Sequence, residues 1–136
     1  MTPQHIAIVQ RSFKELAPSM YDITDAFYAK LFKAMPSTRA MFPENMFEQR
    51  RKLVETLTYT VNGLSYPDAL MPVVHDLGRR HKGYRVRPEH YGQVAKALVD
   101  AIQEAVGPKF AGSHRAAWEA CLAALAGEMI GAAKAA

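Results

Sequence analysis

The sequence predicts an all-α domain, and three observations carry that reading. Apolar residues recur at intervals of three and four in stretch after stretch, the spacing that gathers side chains on one helix face. Proline and glycine mark the joints between those stretches. No run of strict apolar/polar alternation bounded by hairpin turns suggests a strand. The joints divide 136 residues into six main helices and a short connecting piece. That is too many for a simple four-helix bundle, and it predicts helices crossing at steep angles.

Thr2-Pro3 opens the first helix, with threonine as N-cap and proline in the first turn; Ile6, Val9, Phe13 and Leu16 form its apolar face, and Ala17-Pro18-Ser19 ends it. The second begins near Ser19 and buries Met20, Ile23, Phe27 and Leu31, with Tyr28 at the edge of the stripe. Met35-Pro36 breaks it, and a connecting segment brings in Phe42, followed by Pro43. From about Asn45 to Leu64 the pattern is helical again, with Leu53, Leu57 and Val61 on one side and Gln49 one turn before Leu53. Tyr66-Pro67-Asp68 starts a fourth helix that ends in His81-Lys82-Gly83, the glycine being a natural C-terminal stop. Arg87-Pro88-Glu89 starts the fifth, carrying Tyr91, Val94, Leu98 and Ile102, and Gly107-Pro108 closes it. The last begins near Ser113 and buries Trp118, Leu122, Leu125 and Met129; the small residues from Gly131 to Ala136 are expected to fray.

The length suits one domain over residues 1–136, large enough to bury about two-thirds of the surface its unfolded chain would expose. A hydrophobic fraction of 49% and a charged fraction of 22% are ordinary for a globular protein. No apolar run approaches the roughly 18 residues of a membrane span, and the start, MTPQHIAIVQRSF, shows neither a basic leader nor an apolar block. A cytoplasmic protein without a membrane span is expected. The single cysteine, Cys121, excludes an intrachain disulfide and a thiolate cluster, and its place beside the Trp118 stripe suits a buried, inert thiol. The net charge of +4 is local: Arg79, Arg80, Lys82, Arg85 and Arg87 stand against Glu89 alone, and the rest of the chain balances. Charge gathered at one helix end suits the helix dipole or a small dianionic ligand better than the stripe a nucleic-acid binder needs. A basic module gripping nucleic acid through Arg79 to Arg87 is the remote alternative, and no nucleic-acid partner is expected.

The segment Leu77 to Tyr91, LGRRHKGYRVRPEHY, organises the chain. Leu77, Val74 and Leu70 precede His81 by four, seven and eleven residues and share its face, which points inward. A buried imidazole needs a partner for each nitrogen, since an unpaired polar group costs about 1–3 kcal/mol. A core histidine satisfied by a carbonyl and a side chain is the ordinary outcome. A metal is the alternative, but His75 lies six residues away on the opposite side of the helix, and there is no HExxH and no phosphate-binding glycine loop. If His81 binds a metal, the remaining equatorial ligands come from outside the protein, which points to a porphyrin.

FYAKLF with Tyr28, the MP break at Pro36, MF with Phe42, EQRRKL with Gln49 and Leu53, LGRRHKGY with His81, EHY with Tyr91 and AAW with Trp118 occur in order along the chain. In these marks it resembles the bacterial single-domain haemoglobins and the globin domain of flavohaemoglobins, over essentially all 136 residues. The resemblance implies a globin fold around haem b, with His81 as the proximal iron ligand and its other ring nitrogen donating a hydrogen bond, for instance to a carbonyl one turn back. Phe42 would pack on the porphyrin, Leu53 and Leu77 would wall the pocket, and Lys82 and Tyr91 would help hold the cofactor. One or two of Lys82, Arg85 and Arg87 would meet a propionate.

Tyr28 and Gln49 would form the distal polar pair that hydrogen-bonds O₂ and slows its release. The implied function is binding of O₂, NO and CO at ferrous iron, with NO scavenging as the leading reading. In that reading O₂ at the iron and NO combine to nitrate, leaving ferric iron for an external NAD(P)H-dependent reductase to restore. Reversible O₂ carriage or sensing without turnover is the alternative, and a monomer or weak homodimer is expected. Two departures from the family stand out. The family's last-helix glutamate, which pairs with the tyrosine matching Tyr91, falls at Ala133, and the nearest acid, Glu128, lies on another helix face. No flavin domain follows, so the chain alone is not expected to reduce its own iron.

Overall fold

Capping and proline placement set the helix starts that the sequence leads one to expect. In the computed structural model, which describes residues 1–135, Thr2 Oγ1 accepts from the His5 backbone N–H (3.1 Å), and His5 Nδ1 accepts from the Thr2 N–H (3.2 Å). This reciprocal cap satisfies two donors that a helix end otherwise leaves bare and opens α1, Pro3–Leu16. A 3-10 turn at Ala17–Ser19 leads into α2, Met20–Ala34; a second, Pro36–Met41, is the expected connecting piece. Then come α3 (Phe47–Gly63), α4 (Pro67–Gly83), α5 (Pro88–Val106), a 3-10 turn at Pro108–Phe110 and α6 (Ser113–Ala135). Among the described residues there is no strand.

The core forms where these faces meet. Trp118 on α6 is buried between Phe13 of α1 and Phe110, with ring centroids 6.3 Å and 6.5 Å away. Its indole N–H, which could not be buried unpaired without cost, donates to Ser12 Oγ at 2.8 Å and ties α6 to α1. Met20, Ile23, Leu70, Val74 and Ile102 are also fully buried, each worth about 1.5–3 kcal/mol of hydrophobic stabilisation. The longest contact line runs between α4 and α6; α2 packs along α5, and α6 also covers α1 and α5. The α4/α6 crossing is close because Gly78, buried on α4, lies directly against the backbone of Met129. Any side chain there would collide with that carbonyl.

Four features differ from the sequence expectation. The chain stays helical from Gly131 through Ala135 rather than fraying, and Lys82 Nζ donates to the Ala133 carbonyl (3.1 Å) near that end; the expectation for Ala136 lies outside the described residues. Gly83 does not supply the left-handed stop. It stays within α4, and Arg85 takes the positive φ of 66° as the Val86 N–H returns to the His81 carbonyl. The α6 helix is long and apolar enough by length and composition to cross a membrane, although no such run is evident from a stretch-by-stretch reading; here it packs on α1, α4 and α5. Finally Leu53, Leu57, Leu122, Leu125 and Met129, all on faces expected to be core, are only half-buried. They line a cavity instead.

Candidate functional site

The apolar faces of α2, α3, α4, α5 and α6 do not close on one another completely. They enclose a cavity of about 320 Å³, within the usual range for a small-molecule site, whose walls include Leu31, Leu98, Leu122, Leu125 and Met129. Into it come Tyr28 from α2, Phe42 from the loop after the second 3-10 turn, Gln49 and Leu53 from α3, Leu77 and His81 from α4, and Tyr91 from α5. Residues spread over more than sixty positions thus share one chamber.

His81 is held by its own helix. Its Nδ1 lies 2.6 Å from the Leu77 carbonyl, one turn back. A carbonyl can only accept, so Nδ1 carries the proton and Nε2 keeps a lone pair. That is the tautomer a metal-binding histidine needs, with the ring orientation fixed by the second nitrogen. Tyr91 stands beside it, ring centroids 6.1 Å apart and planes inclined by 31°. Burial raises the Tyr91 hydroxyl above the ordinary phenol range. Among the described residues no group of three or more His, Cys, Asp or Glu side chains could chelate an ion. The lone imidazole must share any metal with a non-protein ligand set.

The walls carried by α2 and α3 present a different chemistry. Tyr28 is buried, packed edge-on against Phe27 (4.8 Å) and Phe42 (5.5 Å). Burial pushes its phenol pKa up, against a smaller opposing effect of the hydrogen bond from Gln49, so the hydroxyl stays a neutral donor. The Gln49 amide donates to Tyr28 Oη at 3.3 Å. Since the tyrosine oxygen accepts that bond, its own O–H remains available to a third atom. The surface alternatives for both residues, a solvated Gln49 and a Tyr28 with its hydroxyl in water, are not what the fold adopts.

Lys82 lies elsewhere. The sequence groups it with the cofactor-holding residues, but it lines a separate cavity with Arg87, where its ammonium reaches the Ala133 carbonyl; neither it, Arg85 nor Arg87 lines the main chamber. The reason is direction: on α4 the residue after His81 projects about 100° round the helix axis. The basic side chains that line the main chamber besides His81 are Lys52 and His90. Lys52 is three residues past Gln49 and so shares its face, a signal the sequence offered. His90 was hidden by its second role, since its Nδ1 accepts the Arg87 backbone N–H at 3.0 Å as a cap on α5, leaving Nε2 as the donor.

The globin family model matches residues 25–129. This chain belongs to the globin family. A flavohemoprotein of Deinococcus radiodurans is 32% identical over 134 residues, 96% of this chain but 33% of its own length. The chain spans about a third of the length of the flavohemoproteins it matches. An engineered carbene transferase built on a proposed nitric oxide dioxygenase of Rhodothermus marinus superposes with a TM-score of 0.88 at 26% identity, over 99% of this chain and 94% of that one. A bacterial globin of Campylobacter jejuni superposes with a TM-score of 0.86 at 23% identity, covering 98% and 97%. The all-α fold expected from the sequence is therefore a globin fold.

The residues present fit the haem this family implies. The fit rests on the donor set: one imidazole with a free Nε2 and a fixed Nδ1 proton, an apolar chamber around it, and the donors Lys52 and His90 as partners for carboxylates. His81 would hold the iron. Glu128, the nearest acid to the position where the family carries its last-helix glutamate, sits 3.6 Å from His75 instead. Ala133 leaves no carboxylate beside Tyr91 among the residues lining either cavity.

Proposed function

We propose that this globin holds haem b on His81, binds O₂ at the ferrous iron and acts as a nitric oxide dioxygenase served by a separate NAD(P)H-dependent reductase. When bound, the haem supplies a ferrous centre at which O₂ and NO combine to nitrate, with the iron left ferric. Support comes above all from the Tyr28–Gln49 pair, whose O–H remains free to donate and which lines the same chamber as His81. A dry pocket makes such a bond strong; with a partner that carries partial negative charge it is worth about 1.5–3 kcal/mol. A ligand that gathers negative charge, as O₂ would and CO would far less, is the partner this donor suits. The pair therefore favours retention of O₂.

Leu53, Leu57 and Phe42 exclude water around the pair and keep the local dielectric low. On the other side the Leu77 carbonyl is the acceptor for His81, a neutral group that orients the ring without the stronger donation a carboxylate would give. Gas binding and dioxygenation fit this setting better than peroxidase-like chemistry. Lys52 and His90 are the proposed partners of the propionates. A cytoplasmic setting, where NAD(P)H is at hand, is part of this proposal, and a monomer or weak homodimer suffices for a site built from one chain.

The test is NADH-driven NO consumption by the haem-loaded protein with a flavin reductase. Sustained turnover with nitrate formed in step supports the reading. Reaction confined to a single equivalent of NO, with the ferric form refusing reduction by any flavin reductase tried, would favour reversible O₂ carriage.

A further inference from the structure

A second cavity lies behind Tyr91. Its volume is about 240 Å³, and it lies between the end of α4, the start of α5 and the last turns of α6. Val86, Pro88, Ile130 and Ala133 give it an apolar floor; Lys82, Arg87 and Lys134 are the charged residues that line it, and among the described residues no acid does. Those cations are poorly answered. Lys82 reaches only a neutral carbonyl, Arg87 meets Glu89 loosely at 3.7 Å with both side chains mostly in water, and Lys134 makes no ion pair among the described residues. Tyr91 closes the inner side, lining this cavity and the main one alike.

We propose that this pocket is a binding site for a small organic carboxylate with a short apolar tail, its head met by Lys82, Arg87 and Lys134 and its tail laid on Val86, Ile130 and Ala133. An inorganic anion would satisfy the cations but leave the apolar floor wet, and a neutral apolar molecule would do the reverse. At about 30 Å³ per water the space equals roughly eight waters, which accommodates the six heavy atoms of butyrate. Among the residues that line it, Tyr91 is the one uncharged side-chain donor, and its hydroxyl can donate to the carboxylate. Because its ring also flanks His81, occupancy here sits one side chain away from the proximal imidazole.

Calorimetric titration of the purified protein with sodium butyrate tests this, with butylammonium chloride and sodium chloride as controls. The expected result is saturable one-to-one binding of butyrate and none of either control. A Lys82→Gln/Arg87→Gln double variant, changed at exposed positions, should bind about tenfold more weakly or worse, and Ala133→Leu, which fills the floor, should abolish binding. Absence of saturable binding, an equal response to sodium chloride, or unchanged affinity in both variants overturns the proposal. None of these readings depends on gas chemistry, so their failure and that of the dioxygenase reading are separate events.

Discussion

Gln49 donates its amide N–H to the hydroxyl oxygen of Tyr28 at 3.3 Å, joining α3 to α2 above the main chamber. Because the tyrosine oxygen is the acceptor, its single hydroxyl proton is left to offer to another atom. If that proton holds O₂, Tyr28→Phe removes a bond worth about 1.4 kcal/mol or more and speeds O₂ dissociation tenfold or more. Stopped-flow displacement of O₂ by CO measures it. Gln49→Ala, acting through the tyrosine, should give a smaller increase. A Tyr28→Phe rate equal to that of the parent protein would mean that the hydroxyl serves the fold alone.

Gly78 makes the α4/α6 crossing possible, because a Cβ there would meet the Met129 backbone rather than a yielding side chain tip. Gly78→Ala must push the helices apart, and overpacking of this kind costs about 1–3 kcal/mol. Denaturant unfolding should show that loss. Helix propensity alone predicts the opposite sign, since alanine is the better helix former by about 1 kcal/mol, so the direction of the change decides between the two effects.

Asp100 supplies a pH dependence. Lys96 (2.7 Å) first, and Arg115 (2.8 Å) with it, hold its carboxyl below the ordinary range. A carboxylate whose folded pKa is depressed stabilises the fold above its unfolded value near 4, and the contribution disappears as pH falls through the folded value. Asp100→Asn should therefore cost stability at pH 7, by less than about 1 kcal/mol for so solvated a pair. The difference should shrink progressively in thermal melts as the pH falls below about 4. A deficit that does not change with pH would place the cost in packing.

The helices, their order and most of the chamber were legible because spacing and punctuation encode faces and ends. Val9, Phe13, Ile23, Phe27, Val74, Ile102 and Trp118 are buried as their periodicity requires. What periodicity cannot separate is a core wall from a cavity wall: Leu122, Leu125 and Met129 carry the same pattern and face the chamber. It also cannot read a cation's direction at a helix end. Lys82 sits next to His81 in sequence and opens on a different space, whereas Lys52, on the helix bearing Gln49, opens on the shared one. Likewise Gly83 looked like the stop of α4, but hydrogen bonding around the His81 carbonyl sets the left-handed turn two residues later, at Arg85.

The account depends on the lone pair that the Leu77 carbonyl leaves on His81 Nε2. The most direct test is the absorption spectrum of His81→Ala after loading with haem, read in the oxidised, reduced and CO-bound states beside the parent protein. The account predicts that the parent shows a five- or six-coordinate histidine-ligated haem spectrum and that the variant loses it, regaining a ligated spectrum only when imidazole is added. A variant that keeps the parent's spectra and CO binding without imidazole would contradict it.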